Sequence, residues 1–185
     1  MIITPEGRWP PVYDAEDLAR TIRELVRAED MEARFWSLRS LDDDACQGDV
    51  IRLEAPLPHL DEEGAAVATE NDFQYWLVIG NTCDFARALD DVRWTQVVPL
   101  VDLGEDVDEG ALANLRSYQA AKKFYLPPWP RGASHHTADL LRPATLDKRA
   151  LEKAARVVAR LDYPAWVLLH SCLVRFLCRD DGRYD

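Results

Sequence analysis

Gln74-Tyr75-Trp76-Leu77-Val78-Ile79-Gly80-Asn81-Thr82-Cys83-Asp84 is the stretch on which the reading of this chain turns. Trp76 to Ile79 is an unbroken run of large apolar and β-branched residues behind a polar, acid-rich segment, the pattern of a strand buried on both faces. The run ends abruptly. Gly80 and Asn81 both tolerate positive φ and predict a turn, after which Thr82, Cys83 and Asp84 place a hydroxyl, a thiol and a carboxylate at the strand's exit.

Working outward, Gly48-Asp49-Val50-Ile51-Arg52-Leu53 predicts a first strand after a glycine turn, and Glu54 to Phe73, with Pro56, Pro58 and Gly64 among acids, predicts a long loop. Trp94 to Val101 reads as a further strand in which Pro99 suits an edge or a bulge. Ala111 to Lys122 reads as a helix. Lys123 to Leu126 reads as a fourth strand, stopped by Pro127-Pro128-Trp129-Pro130, and Ala138 to Leu141 begins a fifth. Leu151, Ala154, Ala155, Val158 and Leu161 fall at helical spacing and predict a helix from Thr145 or Asp147 to about Asp162. Pro164 starts another, with Trp166, Leu169, Leu173, Phe176 and Leu177 toward the core. At the other end, Pro5, Pro10 and Pro11 mark an extended lead-in carrying Trp9 and Tyr13, and Asp14 caps a helix whose apolar stripe is Leu18, Ile22, Leu25 and Val26.

With 185 residues, 48% of them hydrophobic, the chain has material for a sizeable core. The stretch Trp166 to Leu177 is too short and too interrupted to cross a bilayer, and residues 1 to 8 lack the pattern of a secretory signal, so a cytoplasmic location without membrane attachment is expected. Cys46, Cys83, Cys172 and Cys178 form no Cys-x-x-Cys pair, which predicts reduced thiols, with neither a disulfide framework nor a zinc site; no metal or other cofactor is expected.

The net charge of −11 disfavours nucleic acid as a partner, because such binding draws on Lys and Arg displacing counterions from phosphates. Asp42-Asp43-Asp44, Asp61-Glu62-Glu63, Asp90-Asp91 and the run Glu105 to Glu109 read either as solvated loops or as a negative face for a basic protein. Self-association is left open.

The order and wording of these segments resemble the PemK/MazF family of bacterial toxins. The likeness runs through Gly48-Asp49-Val50, Leu77-Val78-Ile79-Gly80-Asn81, Val97-Val98-Pro99-Leu100, Ala138-Asp139-Leu140-Leu141 and Ala159-Arg160-Leu161. It implies an α+β fold: a small SH3-like β-barrel of about five strands over residues 46 to 162, preceded by a lead-in and helix over 1 to 45. The last of two C-terminal helices, with a charged tail, would then occupy 163 to 185. It also implies RNA cleavage, but the arginine and threonine that serve it in the toxins are replaced here by Gln74-Tyr75 and Val101. The expectation is therefore a non-catalytic acidic barrel that binds protein, as an antitoxin or immunity-type component of a bacterial conflict system does. The alternative is a divergent endoribonuclease toxin or a Cys-dependent hydrolase.

For that alternative the catalytic candidates are Cys83 and Asp84, with His135 or His136 as the base that an adjacent aspartate cannot be. For binding, Thr82, Asp84 and Arg87 read as one polar site. Lys122 and Lys123, with Arg131, read as a basic cluster beside Tyr125, and Trp129 between prolines as a contact anchor. The plainer reading makes Cys83 a small filler, Asp84 an acceptor of backbone N–H groups, the paired histidines exposed loop residues, and the lysines guards of an edge strand.

Overall fold

A computed structural model of the chain describes residues 15–28, 31–39, 41, 45–53, 57–60, 66–69, 73–104, 106–130, 132 and 134–178. The expected lead-in, the Asp14 cap, the acidic runs at 42–44 and 61–63, Arg131 and the charged tail lie outside these residues.

The fold is α+β. Its body is an antiparallel sheet built from β1 (Asp49–Leu53), β4 (Tyr75–Val78), β5 (Trp94–Asp102), β6 (Lys123–Leu126), β7 (His136–Asp139), β8 (Ala144–Asp147) and β9 (Ala155–Arg160). The strands run in the order β6, β7, β5, β4, β1, β9, with β8 also on β5, and the sheet is open. β2 (Leu57–Leu60) and β3 (Ala66–Thr69) form a separate antiparallel hairpin. The helices are α1 (Ala15–Ala28), α2 (Thr82–Phe85), α3 (Glu109–Arg116), α4 (Lys148–Ala154) and α5 (Tyr163–Leu177).

Both faces of the central strands are covered, which is why they read as continuous apolar runs. Val50, Leu77 and Val98 point into a large core shared with Ile22 of α1 and Leu168 and Leu169 of α5. Ile51, Trp76, Val78 and Val97 point the other way, into a smaller core closed by Leu146 and by Leu151 of α4. Trp76 and Val78 are buried as expected. Residues from all three predicted stretches meet in the larger core.

β5 changes partners along its outer edge. Trp94 to Val97 pair with β8, and Leu100 to Asp102 pair with β7. Pro99 stands between the two. Gln96 accepts from the Ile79 N–H on the β4 side, so by strand alternation Pro99 turns its missing donor toward the junction, where neither β8 nor β7 reaches it. A proline in a central strand is thereby accommodated without a lost ladder bond.

Three expectations need correction. In place of a barrel of about five strands, the sheet has seven and is open. The helix predicted to run to Asp162 stops at Ala154, and Ala155 to Arg160 extend along β1, with a register shift between Val50 and Ile51 that leaves Val158 as the extra residue. Pairing with an otherwise open edge outweighs the helical spacing of the alanines there. Finally, the long loop contains the hairpin of β2 and β3. No described helix is long and apolar enough to cross a membrane.

Candidate functional site

The polar turn after β4 is built by close approach rather than by left-handed backbone. Asn81 has φ −66, and Gly80 is absent from the positive-φ positions, so the turn does not use the freedom the sequence suggested. Gly80 is needed for space: a Cβ there would lie 2.1 Å from Thr95 Oγ1 and 3.0 Å from the Gln96 nitrogen. The Asn81 side chain accepts from the Cys83 N–H at 3.0 Å and starts α2, a role the plainer reading gave to Asp84.

Thr82 and Asp84 lie on α2 and Arg87 just after it. Thr82 Oγ1 accepts from the Gln47 N–H at 3.1 Å, and Arg87, largely exposed, faces the half-buried Asp84 at 3.5 Å. Lys148 is buried and donates to the carbonyl oxygens of Asp84 at 2.7 Å and Arg87 at 3.0 Å, satisfying the end of the short helix with a cation. An open cleft of roughly 940 Å³ lies between this turn and α4, with Cys46, Thr82, Phe85, Lys148, Leu151 and Lys153 in its walls.

Cys83 is exposed and does not line that cleft; Cys46 does. The histidines proposed as its base are committed elsewhere. His135 Nδ1 bonds to the Tyr125 hydroxyl at 2.8 Å, and His136 Nδ1–H donates to the Ser134 carbonyl at 3.1 Å. His170 bonds through Nε2 to Gln47 Oε1 at 2.7 Å. Nor are the paired histidines both loop residues: His136 opens β7 and is buried, packed on Trp129 and Tyr75, and that burial lowers its pKa.

The second predicted group does not assemble. Lys122 and Lys123 are exposed, but Tyr125 is buried, and Trp129, 5% exposed, is wedged among Trp36, Tyr75 and His136. A tryptophan held there is a core residue and cannot anchor a partner. Tyr125 instead heads a polar chain beside Arg116, which forms ion pairs with Glu32 at 2.7 Å and Glu109 at 2.8 Å. Burial raises the Tyr125 pKa against the opposing effect of Arg116, which keeps the phenol protonated at neutral pH.

No protein-family model matches the chain, and no curated protein matches it in sequence. Among the described residues no group of three or more His, Cys, Asp or Glu side chains is placed to hold a metal ion.

One charged feature was missed. Lys148, Arg149, Lys153, Arg156 and Arg160 stand against the single acid Glu152 in thirteen residues of a chain whose net charge is −11. Lys148 is spent on α2, Arg149 on Asp147 and Arg160 on Asp49. Lys153 and Arg156 are left exposed. The signal was legible as a local charge reversal, which the helical periodicity of the same residues obscured.

Proposed function

We propose that the chain is a non-catalytic acidic module that binds a basic protein partner, as an antitoxin or immunity-type component would. The observation that carries this reading is the exposed acidic surface between β5 and α3. Asp102, Asp106, Asp108 and Glu109 are all exposed there, with Glu32 alongside, and Arg116 offsets two of these carboxylates. A negative field of this kind speeds capture of a positively charged protein and weakens with salt.

Within the same proposal, the open sheet is taken as a divergent relative of the PemK/MazF-like barrel that has lost its closure. This is supported by the change of partners along β5, the way barrel corners are made, and by the small core enclosed against α4. Within that reading the positions that serve RNA cleavage hold Gln74, exposed just before β4, and Val101, an exposed apolar side chain. Neither stabilises a developing phosphorane charge.

The test is recovery of the tagged full chain from its native host at low and at moderate salt, alongside incubation of the purified protein with single-stranded RNA. A stoichiometric basic protein that dissociates as salt rises, and is lost with Asp102→Lys and Asp106→Lys together, is the expected result. RNA cleavage abolished by Cys83→Ser or Asp84→Asn would overturn it.

A further inference from the structure

The cleft of roughly 940 Å³ between α2 and α4 has walls of two kinds. Ile51 and Leu151 are buried and Phe85 and Val157 half-buried, and these four make part of it apolar. Lys148, Lys153 and Arg156 line it as well, against the single carboxylate of Glu152. Three cations and one acid leave two net positive charges there, in a molecule whose net charge is −11.

None of the three cations forms an ion pair among the described residues. Lys148 is 4% exposed, and its ammonium donates to the carbonyl oxygens of Asp84 and Arg87, which uses two of its three donors and leaves its charge without a counter-ion. A buried cation in that condition is costly, and an anion close by offsets the cost. Arg149 and Arg160, in the same segment, are held by Asp147 and Asp49, whereas Lys153 and Arg156 stand exposed at the cleft.

We propose that this cleft binds a small organic phosphate monoester, with its phosphate among Lys148, Lys153 and Arg156 and its apolar body against Phe85 and Leu151. The walls select that class. A phosphate monoester is close to a dianion at neutral pH and matches two positive charges, where a carboxylate would match one. Lysine and arginine donate and cannot accept, as phosphate oxygens require. An apolar body then covers walls that a bare inorganic ion would leave wet. A polyanion is disfavoured because the remaining surface of the molecule repels it. The cleft shares no residue with the acidic surface between β5 and α3, so the proposal stands apart from the capture of a basic protein.

Calorimetric titration of the full chain with phenyl phosphate at about 20 mM salt, where screening is weak, tests this. Benzoate, a similar ring with one charge, and inorganic phosphate, the charge without the ring, are the comparison probes. The expected result is saturable binding of phenyl phosphate with a Kd of about 0.1–1 mM, and about tenfold weaker binding of the other two. Lys153→Gln and Arg156→Gln are each expected to weaken phenyl phosphate by about fivefold, the scale of one partly exposed charge contact, with thermal midpoints unchanged because both side chains are exposed. Lys122→Gln, an exposed lysine outside the cleft, should change nothing. Absence of saturation by about 10 mM overturns the proposal, as does binding that neither cleft variant weakens. Inorganic phosphate bound as tightly as phenyl phosphate would reduce the cleft to an adventitious ion site, and benzoate bound as tightly would remove the case for a dianion; either overturns it. Displacement of phenyl phosphate by single-stranded RNA would also overturn it, assigning the cleft to a polymer.

Discussion

Arg160 holds Asp49 through two parallel hydrogen bonds, Nε to Oδ1 at 2.7 Å and Nη2 to Oδ2 at 2.8 Å, and so clamps β9 to β1 at the end of the sheet order. Asp49 also accepts from the Cys46 N–H at 2.8 Å. The Asp49 side chain is 0% exposed and the Arg160 side chain 22%. Removing either partner leaves the other's charge behind, and the penalty depends on how far that charge is from water. Asp49→Ala is expected to cost about 3 kcal/mol in urea denaturation, and Arg160→Met more, because Arg160 can reach solvent and Asp49 cannot. The opposite ranking would mean that the pair is not the clamp described.

Burial lowers the pKa of both His136 and His170, so the native state binds fewer protons than the unfolded chain once the pH drops below the ordinary imidazole value of 6.5. Their contribution is complete above that pH and is lost as the pH falls toward the lowered native values. Denaturation midpoints are expected to fall as the pH drops below about 6.5, and to fall less in His170→Gln. Asp147 acts in a lower window. Arg149 and Arg93 hold its carboxyl well below the usual 3.8, so its contribution is present above that value and disappears as the pH falls through the native one. Asp147→Asn is expected to flatten the acid limb without altering the histidine window.

The strands that sequence made legible are those whose surroundings do not matter to the pattern. Trp76 to Val78 and Val97 to Leu100 are apolar throughout because helices and loops cover both faces, and any fold that buries them demands the same residues. Ala155 to Arg160 were not legible, since Ala154, Ala155 and Val158 satisfy helical spacing, and only the open edge of β1 supplies the partner that makes them a strand. The turn's residues were identifiable but not their duties: Gly80 serves contact rather than φ, and Asn81 caps where Asp84 was expected to. Trp129 and His136 read as surface because prolines and polar neighbours flank them, yet each fills a gap among aromatic rings from distant segments.

The thiols separate by environment. Burial pushes the Cys172 pKa up to about 12, only partly offset by Arg175, whereas Cys83 sits exposed on α2. Since the thiolate is the reacting species, iodoacetamide at neutral pH is expected to modify Cys83 within minutes and to leave Cys172 untouched until the chain unfolds. Mass spectrometry of peptides from native and urea-treated protein checks this. Early modification of Cys172 would show that the α5 core opens far more readily than its packing implies.

Gly80 and Thr95 form a contact whose energetics can be isolated. Thr95 Oγ1 is buried without a hydrogen-bond partner among the described residues, and it occupies the space a Cβ at Gly80 would need. Gly80→Ala alone forces the threonine or the β5 backbone aside and is expected to cost about 1–3 kcal/mol, the usual range for overpacking. Thr95→Ala removes the obstructing oxygen together with an unpaired buried hydroxyl, and the relief of that desolvation opposes the small loss of methyl packing, so it is expected to be near neutral. The double variant then recovers most of what Gly80→Ala loses, giving a coupling of about 1–2 kcal/mol in a double-mutant cycle. Val in place of Thr95 puts a methyl where the oxygen was and should rescue nothing. If Thr95→Ala fails to rescue, the 3.0 Å approach to the Gln96 backbone nitrogen, and not the side chain, is what requires glycine at the exit of β4.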